Sequence, residues 1–119
     1  MDINLKNKYN LARRTFIFAK GVRDYVDKLP RKITNTEIGR QLIRSAGSVG
    51  ANYIEANEAL SKKDFLMRIK ICKKEIKESR YWLELSTPNN EYSDIKSHLI
   101  CESTQLLKIF ATIVNKAKL

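Results

Sequence analysis

The sequence contains few of the residues that form metal centres. It has 2 Cys and 1 His among 119 residues. Cys72, Cys101 and His98 are too few soft ligands for a tetrahedral zinc site, although carboxylates could complete one, so we predict no metal and no cofactor. Both cysteines lie within apolar helical patterns, which favours buried free thiols.

Proline and glycine, which mark turns, are also scarce. The chain has 2 Pro and 4 Gly, and its residues are 43% hydrophobic and 30% charged. This balance is typical of a soluble globular protein, and few turns favour a small number of long elements. A chain of 119 residues has the size of one ordinary domain, so we predict a single domain over residues 1–119.

Long hydrophobic runs are missing. No window approaches the roughly 18 uninterrupted apolar residues that a membrane-spanning helix needs. The first ten residues, MDINLKNKYN, contain no apolar run that resembles a secretory signal. We therefore expect a cytoplasmic protein.

Acidic residues are outnumbered by basic ones. The 23 Lys and Arg residues oppose 13 Asp and Glu residues, which gives a formal net charge of +10. Such an excess indicates attraction to polyanions such as RNA or DNA, or to an anionic membrane surface. Charge alone does not choose between these partners, and a basic protein kept soluble by its own charge has the same composition.

Apolar residues recur at three- and four-residue spacing through most of the chain, as in Leu11, Phe18 and Val22. No alternating strand pattern interrupts this spacing. The predicted helices are about residues 8–29, 36–58, 62–86 and 94–116. Long helices joined by short connectors predict an all-α fold, specifically an antiparallel up-and-down four-helix bundle.

Capping residues indicate where three of the helices begin. We predict Thr34 or Thr36 as the N-cap of the second helix. Ser61 is the predicted N-cap of the third helix, with Asp64 in the position of a capping-box acid. Ser93 follows the proline- and asparagine-containing break STPNNEYSD and is the predicted cap of the fourth helix.

The segment SAGSVGAN, residues 45–52, is compatible with a flexible loop, with a phosphate-binding turn or with the close-packed middle of a helix. It lacks the preceding strand and the Lys-Ser/Thr pair of a P-loop, and no KH-type βααβ pattern surrounds it. On a helix, one face would carry Gly39, Ile43, Ala46, Gly47, Gly50 and Ile54. We therefore predict a helix whose glycines let neighbouring backbones approach closely. Asn52, at the edge of this face, is predicted to form an interhelical hydrogen bond, with a ligand contact as the alternative.

The third helix concentrates positive charge on one face. A helical projection places its basic residues within roughly 120°, namely Lys62, Lys63, Lys70, Lys73, Lys74, Lys77 and Arg80. One interpretation is a surface that binds the phosphate backbone of RNA or DNA without reading bases. The other is a solvated, lysine-rich helix face of the kind common in soluble proteins.

The same helix carries a second group of apolar residues away from its core stripe, namely Met67, Ile71, Trp82 and Leu85. A monomeric four-helix bundle has no obvious way to bury this group. We predict that a protein partner, most simply a second copy of the chain, covers it. Shielding by the aliphatic stems of neighbouring lysines is the alternative.

Candidate catalytic groups do not form a recognisable constellation. His98 has Ser97 and Ser103 nearby in sequence, but these offsets along one helix do not bring a nucleophile, a base and an orienting acid together. A single histidine also cannot supply the two Glu-x-x-His motifs of a di-metal bundle. We therefore predict no catalytic residues and no enzymatic activity.

Residues 40–85 carry a resemblance to a known family. The pieces LIRSAGSVGANYIEA in the second helix and DFLMRIKICKKEIKESRYWLEL in the third, with the spacing between them, resemble the central signature of the 23S rRNA intervening-sequence proteins. The resemblance implies a four-helix bundle that assembles as a homopentamer, as in characterised relatives. It also implies similarity to accessory proteins of diversity-generating retroelements, which bind nucleic acid through basic surfaces. No enzymatic activity is implied.

Two functions remain open at this point. The first is an oligomeric accessory protein that binds RNA or DNA through the basic face of the third helix. The alternative is a scaffold that binds other proteins through the face containing Trp82, with no nucleic-acid role. Attachment to an anionic membrane is a weaker, third possibility.

Overall fold

A computed structural model describes residues 3–118, with side chains from residue 11 to residue 118. The description excludes residues 1, 2 and 119 of the predicted domain. It also excludes the side chains of residues 1–10, on which the prediction of no secretory signal was based. The helices are α1 Ile3–Asp27, α2 Ile33–Asn57, α3 Lys62–Leu85 and α4 Ser93–Ala117, with a 3₁₀ turn at Asn90–Tyr92 before α4. Residues 3–118 contain no strand, so the all-α four-helix prediction is confirmed.

The cap of α3 was predicted correctly, because the hydroxyl of Ser61 accepts a hydrogen bond from the Asp64 backbone N–H at 3.0 Å. The predicted cap of α2 was wrong. The cap position is Lys32, which makes no side-chain capping bond, and Thr34 and Thr36 lie inside the first turn. Buried Asn35 explains the earlier start, since its side-chain amide donates to the carbonyl oxygens of Pro30 and Thr87, which are positioned outside α2.

The predicted cap of α4 was also wrong. Ser93 is the first residue of α4 rather than its cap, and Tyr92 occupies the cap position without a side-chain capping bond. The 3₁₀ turn leads directly into the helix, and its Tyr92 N–H donates to the Asn89 carbonyl at 2.9 Å. At the other end of the chain, α1 begins at Ile3 and ends at Asp27, whereas residues 8–29 were predicted.

Helix α2 packs between α1 and α3. A Cβ atom added at Gly39 would lie 2.8 Å from Val26 Cγ1 of α1, and one at Gly50 would lie 3.4 Å from Thr15 Oγ1. In these pairs a later residue of α2 meets an earlier residue of α1, the order seen when two neighbours run in opposite directions. Gly39 therefore allows α1 and α2 to approach closely, whereas an added Cβ at Gly50 would make an ordinary van der Waals contact.

Residues 45–52 are helical throughout, as predicted, but the close packing does not extend to Gly47. An added Cβ at Gly47 would have no neighbour within 4 Å, and Ile43 and Ile54 on the same face are exposed. The predicted small-residue face of α2 is about 100° wide, but only the edge that carries Gly39 and Ala46 is buried. The contact zone is thus narrower than the sequence pattern indicated.

The interior combines large apolar side chains with a few paired hydroxyls. Phe18, Tyr25, Leu42, Ile76 and Phe110 are almost completely buried. Burial of side chains of this size stabilises the fold by about 1.5–3 kcal/mol each. The Tyr25 hydroxyl shares a 2.6 Å hydrogen bond with the Ser86 hydroxyl, so its polar group is satisfied inside the core.

The two cysteines differ in environment. Cys72 is buried, as predicted, and its thiol donates to the Val49 carbonyl of α2 at 3.3 Å. Burial raises the pKa of this thiol to about 12. Cys101 was predicted to be buried, but it is exposed, because its position on α4 turns away from the stripe formed by Leu99, Leu106 and Phe110.

Candidate nucleic-acid interface

The two sides of α3 have opposite chemistry. Ile69, Cys72, Ile76 and Leu83 recur at helical spacing and are completely buried in the core. This stripe fixes the rotation of the helix about its own axis, since turning it would expose these side chains to water. Residues on the opposite side must therefore face outward.

The basic residues predicted on α3 occupy its outward and flanking surface. Lys62, Lys63, Lys70, Lys74 and Lys77 are exposed, and Lys73 and Arg80 are half-buried. Arg80 donates from Nε to Glu84 at 3.1 Å. Among the described side chains, no carboxylate lies within 4.0 Å of any of these lysine ammonium groups. Ion pairs with described residues thus do not neutralise the lysines of α3.

Two acidic residues of α3 are held on the side that faces α2. Arg44 of α2 bridges them, with 3.3 Å from Nη1 to Glu75 and 3.3 Å from Nη2 to Glu78. Glu75 is only 7% exposed. Burial raises the pKa of its carboxyl above the ordinary value, and the Arg44 guanidinium counteracts part of that rise. The arrangement pairs these two acidic residues of α3 with one guanidinium of α2.

Apolar side chains lie between the lysines and form a shallow groove. It is open to solvent, has a volume of about 400 Å³, and is lined by Lys63, Leu66, Met67, Lys70, Ile71 and Lys74. The sequence analysis placed the three lysines in a basic group and Met67 and Ile71 in an apolar group, and it assigned Leu66 to neither. In the structure they share one surface.

The apolar group predicted on α3 is only partly exposed to solvent. Met67 and Leu85 are each 47% exposed. Ile71 and Trp82 are half-buried, and the Trp82 ring packs against the core. Trp82 Nε1 is buried and has no hydrogen-bond partner among the described residues.

Tyr81 is an exposed aromatic residue that the sequence analysis missed. It is 58% exposed and lies one turn beyond Lys77. Its ring meets the Trp82 ring edge to face, with 5.0 Å between the ring centroids and 79° between the planes. The signal for it was present in the sequence, because position 81 follows Lys70, Lys74 and Lys77 at helical spacing of four, three and four residues.

The chain is similar to known proteins in sequence and in fold. The model of the 23S rRNA-intervening sequence protein family matches residues 7–110. The chain belongs to this family. A crystal structure of a protein of unknown function from the S23 ribosomal protein family of Bacteroides thetaiotaomicron is similar, with 29% sequence identity and a TM-score of 0.76. The match covers 87% of the present chain and 97% of that one. No curated protein matches the chain.

In this intervening-sequence family member, Asn52 forms the predicted bond between helices. Arg68 of α3 donates to Asn52 Oδ1 at 3.1 Å, while Asn52 Nδ2 donates to the Ser48 carbonyl at 2.9 Å. Both ends of the amide are therefore satisfied within the chain, which accounts for a polar residue at the edge of the apolar face.

The candidate catalytic groups of the sequence remain separate. His98 and Ser97 are exposed on α4, whereas Ser103 is buried and its hydroxyl donates to the Ile100 carbonyl at 2.6 Å. Within the described part of the family member, no three side chains of the His, Cys, Asp or Glu type are grouped closely enough to hold a metal ion. None of the helices searched there is long and apolar enough to cross a membrane.

Proposed function

We propose that this intervening-sequence family protein is a non-enzymatic, oligomeric accessory protein of the cytoplasm that binds the phosphate backbone of RNA or DNA through the outward face of α3. One observation carries the proposal. The lysines at positions 62, 63, 70, 73, 74 and 77 are without ion-pair partners among the described side chains, on a helix whose rotation is fixed by its buried stripe.

The energetics favour a polyanionic ligand. Like charges along one helix face repel one another, and a phosphate backbone would relieve that repulsion while releasing its condensed counterions. Lysine ammonium groups act as point charges, which suit phosphate oxygens rather than the bidentate reading of a base edge. We therefore expect affinity that depends strongly on salt and weakly on sequence.

The test measures the affinity of the full chain for single-stranded and duplex RNA and DNA over a range of salt concentrations. If about five phosphates are contacted, the logarithm of the association constant should fall with the logarithm of salt concentration with a slope of roughly −3.5 to −4.5. The triple variant Lys70→Glu, Lys74→Glu, Lys77→Glu should lose binding while retaining its helical content.

A matched pair of single variants separates the α3 surface from net charge. Lys74→Glu and Lys108→Glu change the total charge equally, and both positions are exposed, but Lys108 lies on α4. We expect Lys74→Glu to weaken binding more than Lys108→Glu. Equal weakening by both variants, or no salt-sensitive binding by the wild type at low ionic strength, would refute the α3 site.

We propose further that a second copy of the chain covers the apolar group of Met67, Ile71, Trp82 and Leu85. The exposure of Met67 and Leu85 supports this part of the proposal, and the family resemblance leads us to expect a homopentamer. Light scattering at micromolar concentration should report a mass of several chains, and Met67→Glu should reduce it. A monomeric wild type would contradict assembly.

The second candidate function is a scaffold that binds other proteins through the same apolar face. The exposed side chains of Met67 and Leu85 favour it as well. It predicts that the triple lysine variant retains its partner and that Trp82→Ala disrupts the complex. Loss of nucleic-acid binding in the lysine variant, with an unchanged oligomeric mass, would favour the first function over the scaffold.

A further inference from the structure

The lysine row of α3 ends in an aromatic ring. Lys70, Lys74, Lys77 and Tyr81 follow one another at four, three and four residues, which corresponds to rises of about 6, 4.5 and 6 Å along the helix. All four side chains are exposed. A polyanion that follows the lysines towards the C-terminal end of α3 therefore reaches the Tyr81 ring next.

The ring of Tyr81 contacts the Trp82 ring and is more than half exposed to solvent. Trp82 packs against the core and meets the Tyr81 ring edge to face at 5.0 Å between centroids. Such contacts restrict the ring without covering it, and Tyr81 remains 58% exposed. Since no hydrogen bond involves the Tyr81 hydroxyl among the described residues, its position does not depend on that group.

The carboxylates nearest to Tyr81 on the helix both have arginine partners. Glu78 and Glu84 lie three residues before and after it. Arg44 of α2 pairs with Glu78 at 3.3 Å, and Arg80 pairs with Glu84 at 3.1 Å. Both acids thus have positive partners, so a phosphate held by Lys77 would not meet an unpaired carboxylate beside the ring.

We propose that Tyr81 is a stacking platform for a nucleobase of a single-stranded nucleic acid whose backbone is held by Lys74 and Lys77. This inference rests on the proposed function and adds a ligand class to it. An exposed aromatic ring next to a cationic row is the arrangement by which proteins bind single strands without reading their sequence. In a duplex the bases are stacked on one another, so their faces are not free to cover the ring.

A pair of variants isolates the ring from the helix that carries it. Tyr81→Phe keeps the aromatic face, and Tyr81→Leu replaces it with a good helix former. We expect Tyr81→Leu to weaken single-strand binding roughly five- to tenfold and Tyr81→Phe to leave it nearly unchanged, because stacking on an aromatic side chain contributes a factor of this order. Duplex binding should be the same in both variants.

An abasic strand of the same length provides the control for charge. It retains the phosphates but has no bases to stack, so Tyr81→Leu should bind it as well as the wild type does. The sole tryptophan, Trp82, provides a second readout. Single strands with bases should change its fluorescence, and the abasic strand should change it less.

The outcomes of these experiments distinguish the stacking role of Tyr81 from the proposed phosphate binding by α3. Salt-sensitive binding that is equal in Tyr81→Leu and Tyr81→Phe would overturn the stacking role and leave the α3 phosphate surface intact. An equal loss on strands with and without bases would also overturn it, as would a change in oligomeric mass that accounts for the loss. A wild type that binds no nucleic acid would overturn both.

Discussion

The two sides of α3 differ in what determines their residues. One side is buried and must pack in the core, whereas the other is exposed and carries positive charge. Ile76 is completely buried, and Lys77, the next residue in the chain, is exposed. The first has a fixed set of neighbours in the core, whereas the second has no ion-pair partner among the described side chains. Substitutions on one side should therefore change stability, and substitutions on the other should change what the protein binds.

The largest effect is expected from Ile76→Ala. Removing this buried side chain should lower the free energy of unfolding by about 2–5 kcal/mol, because transfer energy is lost and a cavity remains. Lys77→Ala, one residue further along, should change it by less than about 0.5 kcal/mol. Urea unfolding followed by circular dichroism measures both, and similar losses in the two variants would contradict the contrast between the faces.

A smaller effect is expected at the α2–α3 ion pairs. Arg44→Ala leaves the buried Glu75 carboxylate without its partner, which should cost about 1–3 kcal/mol at neutral pH. Arg23→Ala is the matched control, since the Arg23–Asp24 pair is exposed and should contribute less than about 1 kcal/mol.

The Arg44 variant should also show a characteristic pH dependence. Burial raises the pKa of the folded Glu75 carboxyl, so the folded chain binds the proton more tightly than the unfolded chain does. The cost of the ionised form is absent below the ordinary glutamate value of 4.5 and grows as pH rises through the folded pKa. The stability difference between Arg44→Ala and the wild type should therefore shrink in acid. A difference independent of pH would rule out Glu75 as its source.

Substitutions of the α2 glycines should change the free energy of unfolding by about 1 kcal/mol or less, with a sign that depends on whether the position is buried or exposed. Gly47→Ala should raise stability by roughly 0.5–1 kcal/mol, because alanine favours helix and the added methyl meets open space. Gly39→Ala should lose that gain and more, since its methyl would lie 2.8 Å from Val26 Cγ1. Thermal unfolding of the two variants provides the measurement, and an equal gain in both would show that α1 yields at Gly39.

The smallest effect on the fold is expected from modifying or replacing the thiols. Cys72 is buried with a pKa raised to about 12, whereas Cys101 is exposed. A thiol-specific reagent at neutral pH should therefore modify one thiol of each folded chain rapidly and the second only after unfolding. Cys101→Ser should abolish the rapid phase, whereas persistence of that phase would show that the core opens around Cys72.

Local signals in the sequence predicted local structure well. The Ser61 cap depends on a bond to the backbone three residues away, and it was found from the sequence. The cap proposed at Ser93 failed because a 3₁₀ turn leads directly into α4, and those proposed at Thr34 and Thr36 failed where a distant part of the chain intervenes. Asn35 shows how, since its side chain also accepts from the Thr87 N–H at 3.2 Å, 52 residues away.

The candidate interface was predictable in its charges but not in its shape. Periodicity alone placed the lysines on one face, because the buried stripe of α3 repeats at helical spacing. It grouped side chains by chemistry, however, and so did not reveal that Met67 and Ile71 line the same groove as Lys70. Tyr81 was missed although its helical spacing from the lysines is present in the sequence, and the structure added its exposure and its contact with Trp82.

The sequence by itself determined the helical class of this intervening-sequence family protein, because apolar periodicity, sparse turn residues and the signature of residues 40–85 all depend on residues near one another in the chain. The tertiary structure alone decided which glycines of α2 are covered and which cysteine is buried. Those outcomes depend on which part of each helix surface a neighbouring helix covers, and this is set by packing between segments that are distant in sequence.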